Sequence, residues 1–162
     1  MSAWWIDPPI ILGSCNPAAA QLKTLSSEGF KTIISLLDEK QQPPWYDTKK
    51  IKAIGFKRYS IPMADGTAPT PAKFKKFLEI IDKALPAGKA LFHCRGGSGR
   101  TGTMAAAYWI RGGLSAEEAI KKVRASTPTA VENPKQEKSL YRIESRLQSK
   151  SIRLRGVKRK FK

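Results

Sequence analysis

The stretch that most constrains the fold runs from Lys89 to Ile110. A short apolar run, Lys89 to His93 (KALFH), is followed by Cys-Arg-Gly-Gly-Ser-Gly-Arg and then by the small-residue segment Thr101 to Ile110. The apolar run suits a central strand, and the segment after Arg100 suits a helix that stops at Gly112-Gly113. A strand, a glycine-rich loop and a helix in that order ask for a sheet with helices packed against it.

The rest of the chain supplies the layers. Trp4 to Ile6 and Ile10 to Leu12 read as short edge strands, interrupted by Pro8 and Pro9. Asn16-Pro17 reads as a cap and first-turn proline for a helix ending near Gly29. Lys31 to Leu37 and Phe56 to Met63 have buried-strand patterns, with a short helix expected around Tyr46 to Ile54. Thr70 and Pro71 cap a helix whose stripe is Phe74, Phe77, Leu78, Ile81 and Leu85. Ser115 with Glu118 forms a capping box, and Pro134 opens a last helix with Leu140, Ile143 and Leu147 on one face. The expected fold is α/β: a central mixed, mostly parallel sheet of about four to five strands, flanked by helices on both sides.

The loop has a chemistry of its own. Consecutive backbone N–H groups between a strand end and a helix start can curl into a nest for an anion. Gly96, Gly97 and Gly99 permit the backbone angles of such a curl, leaving Arg95 and Ser98 between them. The Arg100 guanidinium can hold two oxygens of a phosphate at once. A thiol at Cys94 is expected to ionise well below the free value of about 8.5, which makes it a nucleophile in line with a bound phosphorus. His93, the one histidine, is expected to orient the loop rather than to react.

Charge and cysteine content bound the setting. The 162 residues carry a formal net charge of +17, so an anionic partner is expected: a phosphorylated substrate, nucleic acid or an acidic surface. Seven of those charges lie in Ser149 to Lys162, which contains no acid. We therefore expect a catalytic domain over 1–149 and a basic tail over 150–162, solvated or in contact with nucleic acid or lipid. Cys15 and Cys94 are too few for a disulfide scaffold or a zinc site, which favours a reducing, cytoplasmic setting. Neither a metal nor a cofactor is expected. No apolar run is long enough to span a membrane, and the first residues lack a secretion signal.

The segment HCRGGSGRT resembles the His-Cys-x5-Arg-Ser/Thr signature of the cysteine-dependent protein tyrosine phosphatases, in their small dual-specificity-like branch. The resemblance covers most of Leu12 to Leu147. It includes GSCNP, GFKTIISLLDE, IPMADGTAP at Ile61 and AVENPKQ at Ala130. It implies that Cys94 forms a phosphocysteine intermediate, that Arg100 binds phosphoryl oxygens and that Thr101 stabilises the departing thiolate. It places Asp65 as the acid that protonates the leaving oxygen and Gln136 as the residue that positions the hydrolytic water. Glu132 is an alternative acid, and Asp38 and Glu39 can reach the same face. The substrate implied is a phosphoprotein, phosphotyrosine first and phosphoserine or phosphothreonine besides.

Other readings share the loop. RNA 5′-triphosphatases and phosphoinositide phosphatases use the same Cys-x5-Arg arrangement, although the inositide branch tends to carry lysines where this chain has Arg95 and Ser98. A rhodanese-type sulfurtransferase lacks the arginine ending, and a catalytically dead binding module would have lost Cys94 or Arg100. Trp45 and Tyr46 are candidates to line the site or to join the core. Cys15 has no sequence feature that brings it near Cys94. The adjacent pair Gly96-Gly97 predicts unusual backbone angles at one of the two.

Overall fold

The computed structural model describes the backbone of residues 1–160 and the side chains of residues 1–151. Alternation along the strands decides its layers. In β3 (Phe30–Leu37) Ile33 and Ile34 fall into two different buried clusters, as do Leu12 and Ile11 of β2 (Ile11–Ser14) and Leu91 and Phe92 of β5 (Lys89–His93). A period-two pattern that is apolar on both faces needs cover on both faces.

The sheet runs β1-β2-β5-β3-β4, with β1 at Ala3–Asp7 and β4 at Lys57–Met63. β1 is antiparallel to β2, and every other pair is parallel. The strand that leads into the glycine-rich loop is therefore the central one, and the sheet has the expected mixed character.

The cover is lopsided. One face carries α2 (Pro71–Ala84), α3 (Gly99–Arg111), α4 (Ala116–Ser126) and α5 (Pro134–Lys160). There Phe77 meets Phe92 edge to face at 4.9 Å between ring centroids. The other face holds α1 (Ala19–Ser27) and the turns that carry Tyr46, Ile51 and Phe56. Side chains set the helix starts where the sequence signals were reciprocal: Thr70 accepts from the Lys73 N–H, and Ser115 and Glu118 each bond the other's backbone.

Two expectations are corrected. Asn16 does not cap α1, which starts at Ala19 with Ala18 as its extended cap; the Gln21 carboxamide accepts from the Ala18 N–H instead. Asn16 is buried and engaged elsewhere, as shown below. The segment Tyr46 to Ile54 forms successive three-residue turns rather than a helix, started by Asp47, whose carboxylate accepts from the Lys49 N–H. The backbone of α5 runs as helix from Pro134 to Lys160, so the basic segment from residue 150 begins within it. Phe161 and Lys162 lie outside the described residues.

Candidate active site

The loop from Cys94 to Arg100 leaves the end of β5 and enters α3 at Gly99. Ser98, the N-cap of α3, makes no side-chain cap bond, so the first N–H groups of the helix keep no partner from it. Gly97 has a φ of +83°, and a Cβ on it would stand 2.5 Å from the Cys15 N and 2.7 Å from the Ser14 C. Both strain and space demand glycine there. Gly96 has no positive φ, and a Cβ on it would meet nothing within 4 Å, so the unusual geometry expected of the pair belongs to Gly97 alone. The Trp4 indole N–H, reaching over from β1, donates to the Gly97 carbonyl at 2.9 Å and pins the turn.

Cys94 is 2% exposed, and two donors converge on its sulfur: the Thr101 hydroxyl at 3.1 Å and the Gly97 N–H at 3.2 Å. Arg100 is 1% exposed although it is charged. Its Nη1 donates to the Met63 carbonyl at 2.8 Å, and its Nη2 donates to the Gln42 Oε1 at 2.7 Å and lies 3.0 Å from the Asp65 Oδ1. Its Nε is the one buried side-chain polar atom without a partner among the described residues. A buried orphan guanidinium donor beside this sulfur, at the start of a helix whose cap side chain makes no bond, is a place for an oxyanion.

These groups line a small cavity of about 280 Å³ with Asp65, Arg95, Gly96, Ser98, Gly99 and Glu132. A larger groove of about 670 Å³ between α2 and α5 holds none of them. Asp65 stands on the turn after β4, its Oδ1 accepting from the Gly66 N–H. Glu132 approaches from the segment before α5, so close that a Cβ on Gly99 would meet its carboxyl carbon at 2.4 Å. A side chain at position 99 would push the Glu132 carboxyl out of this place. Val131, buried at a φ of +57°, gives the segment the sharp turn that aims Glu132, and Arg124 holds both the Ala130 and Val131 carbonyls.

Gln136 does not line the cavity, in contrast to its expected place beside the hydrolytic water. It is fully buried; its Oε1 accepts from the Glu132 N–H at 2.9 Å and its Nε2 donates to the Thr67 carbonyl at 3.3 Å. It braces the two carboxylate-bearing segments against each other. Asp38 and Glu39 also stay out of the cavity. Asp38 caps the turn at Lys40 to Gln42, and Glu39 pairs with Arg58.

His93 is fully buried under the loop. A one-way chain of hydrogen bonds supports it. Arg58 Nε–H donates to the Tyr46 oxygen at 3.2 Å, the Tyr46 hydroxyl donates to His93 Nε2 at 2.9 Å, and His93 Nδ1–H donates to the Cys94 carbonyl at 3.3 Å. Tyr46 therefore belongs to the core, whereas Trp45 is 64% exposed. Burial lowers the His93 pKa to about 3, with the Arg58 and Arg100 charges acting in the same direction. The unfolded chain takes up this proton between the ordinary 6.5 and about 3 while the folded chain refuses it. The contribution of neutral His93 to stability is thus complete above that window and declines as pH falls through it, by up to ~1.4 kcal/mol per pH unit. Urea unfolding across the window is expected to show a shallower pH slope for His93→Asn than for the parent; parallel slopes would contradict this.

The loop is steadied from β2 as well. Ser14 is the register partner of His93, so the chain runs on beside the loop through Cys15 and Asn16. Both cysteines are free, and the Asn16 N–H donates to the Arg95 carbonyl at 3.0 Å.

Residues 11–114 match the family described as "Tc-R-P: Polymorphic toxin system, DSP-PTPase phosphatase". The chain belongs to the dual-specificity-type cysteine phosphatases. Dual specificity protein phosphatase CDC14C of Homo sapiens is 32% identical over 148 residues, which are 82% of this chain and 32% of that protein. The tyrosine-protein phosphatase CDC14 homolog of Schizosaccharomyces pombe is 32% identical over 122 residues, 75% of this chain and 22% of that one. The chain thus spans about a third or less of the length of these relatives. Among solved structures, Tk-PTP in its active form has a TM-score of 0.81 at 31% identity and covers 90% of this chain and 97% of its own. PTPMT1 in complex with PI(5)P has a TM-score of 0.82 at 22% identity, covering 93% and 99%, which shows the shared fold. The phosphatase signature read from HCRGGSGRT and the fold of this family coincide here.

Proposed function

We propose that this phosphatase hydrolyses phosphomonoesters of proteins, phosphotyrosine first and phosphoserine or phosphothreonine besides. The observation that carries this reading is the buried Arg100 with an orphan Nε beside Cys94. Cys94 Sγ attacks phosphorus while the bond from phosphorus to the ester oxygen breaks, and Asp65 delivers its proton to that oxygen. Arg100 and the loop N–H groups hold the other phosphoryl oxygens, with the Arg95, Gly96, Ser98 and Gly99 backbone lining the cradle. A water then attacks the phosphocysteine, the Asp65 carboxylate takes up its proton, and the sulfur leaves as a thiolate that the Thr101 hydroxyl stabilises. Gln136 serves this step by holding the Asp65 turn and the Glu132 segment together.

The small cavity, and the exposed Trp45 on the same loop as Gln42, support an accessible site with an aromatic side chain at its approach. No helix of the described residues is long and apolar enough to cross a membrane, and the two free thiols support a cytoplasmic setting. The net charge of +17 supports an acidic or phosphorylated partner; the basic segment from residue 150 is where nucleic acid would bind.

The pH profile of aryl phosphate hydrolysis tests the acid. Asp65→Asn is expected to lower kcat roughly 100-fold or more and to remove the alkaline limb of the profile, since a general acid contributes about 10²–10⁴. Glu132→Gln is expected to cost far less and to keep that limb. The reverse pattern would move the acid to Glu132.

A further inference from the structure

Gln42 is joined to both reacting partners of the phosphate cradle. Its Nε2 donates to the Asp65 Oδ2 at 3.2 Å while its Oε1 accepts from the Arg100 Nη2 at 2.7 Å. The same Nη2 lies 3.0 Å from the Asp65 Oδ1, which closes a ring of three side chains. Only a side chain with one donor and one acceptor at fixed spacing can serve both neighbours. Turned over, the amide would set its N–H₂ against the guanidinium and its oxygen against the carboxylate.

The loop that carries Gln42 is itself anchored on both sides. Before it, the Gln41 and Gln42 N–H groups both donate to the Asp38 carbonyl, at 3.0 and 2.8 Å. After it, Asn16 Nδ2 donates to the Pro43 carbonyl at 3.1 Å and Asn16 Oδ1 accepts from the Trp45 N–H at 3.2 Å. The Tyr46 hydroxyl then locks onto His93. Residues of separate strands and loops thus hold Gln42 in place over Arg100.

We propose that Gln42 is a positioning residue for the proton transfer, keeping the Asp65 carboxyl seated over the cradle when substrate takes the charge of Arg100. This rests on Asp65 acting as the acid. In the structure, the ion pair with Arg100 and hydrogen bonds from the Gln42 amide and the Gly66 N–H hold the Asp65 carboxyl. A phosphate dianion draws the guanidinium charge to itself and repels an ionised carboxylate, so the ion pair weakens as the proton is needed. The bond from Gln42 is from a neutral donor. It survives protonation of Asp65, because the carbonyl-type oxygen of a carboxylic acid still accepts. The backbone of the Asp65 turn is held independently from the far side by Asn133, which donates to the Gly66 carbonyl at 3.0 Å, and by Gln136. Gln42 alone, besides Arg100 and the adjacent Gly66 N–H, reaches the carboxyl itself among the described residues.

The test compares phenyl phosphate, whose leaving group needs a proton, with p-nitrophenyl phosphate, whose leaving group needs it less. Gln42→Met, of matched length and unable to form either bond, is expected to melt with the parent and to lower kcat on phenyl phosphate about tenfold, within the range a general acid supplies. The loss on p-nitrophenyl phosphate is expected to be smaller, with KM unchanged on both. In an Asp65→Asn background, Gln42→Met is expected to cost nothing further. Equal losses on the two substrates, a rise in KM alone, or a further loss in the Asp65→Asn background would overturn the proposal. Should Asp65→Asn itself leave the leaving-group dependence unchanged, the acid assignment falls and the role of Gln42 with it. Should Asp65→Asn steepen that dependence while Gln42→Met does not, only the role of Gln42 falls.

Discussion

Replacing Cys94 with serine is expected to abolish turnover, with kcat falling by about 10⁴-fold or more, the scale on which loss of a covalent nucleophile is felt. The reason lies in what converges on the sulfur. The Thr101 hydroxyl and the Gly97 N–H both donate to it, and a serine hydroxyl at the same place is a far weaker nucleophile than a cysteine sulfur. The rest of the cradle is untouched by the change. The loop N–H groups, the orphan Arg100 Nε and the Asp65 turn still hold a phosphoryl group, so Cys94→Ser is expected to bind an aryl phosphate and retain it. Turnover in Cys94→Ser within tenfold of the parent would mean that another group attacks phosphorus.

Arg100→Lys is expected to lower kcat/KM by roughly 10³-fold, or about 4 kcal/mol of transition-state stabilisation. A lysine keeps the charge and loses the fork. Arg100 serves the Met63 carbonyl through one nitrogen and both Gln42 and Asp65 through another, with Nε still available. A single ammonium reaches one of those places at a time, and it carries the desolvation of a position only 1% exposed. Inhibition by inorganic phosphate reads the same loss without chemistry. The expected result is a large rise in the inhibition constant alongside the fall in kcat/KM. A loss below tenfold in both would mean that charge alone suffices and that the planar fork has no special part.

The sequence is most legible where a local signal and its structural consequence are close together. The cap at Thr70, the box of Ser115 with Glu118 and the stripe of Phe74, Phe77 and Ile81 each act within a few residues, and α2 and α4 form where those signals lie. The loop from Cys94 to Arg100 is legible for the same reason, since strand, glycines and helix follow one another. Asn16 misled because its side chain has partners far along the chain, at Pro43 and Trp45, which outweigh a local cap. The basic run at Lys49, Lys50 and Lys52 sits in turns because Asp47 folds back on its own backbone.

Gln42 was invisible for a related reason. Its two partners lie 23 and 58 positions away, and a glutamine in a polar loop carries no pattern of its own. The sheet order is what brings it there: β3 lies between β5 and β4 and runs parallel to both, so the segments leaving their ends meet at one place. Gln136 shows the converse. Its sequence neighbourhood fits the family, yet both ends of its amide are engaged, by the Glu132 N–H and the Thr67 carbonyl.

The central claim is that phosphorus becomes bonded to Cys94. Turnover of p-nitrophenyl phosphate stopped within milliseconds by an alkaline denaturing quench, followed by digestion and mass spectrometry, tests it most directly. The expected result is one phosphoryl group on the peptide carrying Cys94, accumulating further in a variant slowed at the second step and absent in Cys94→Ser. A phosphoryl group on any other residue, or steady hydrolysis with Cys94 never labelled, would contradict the account.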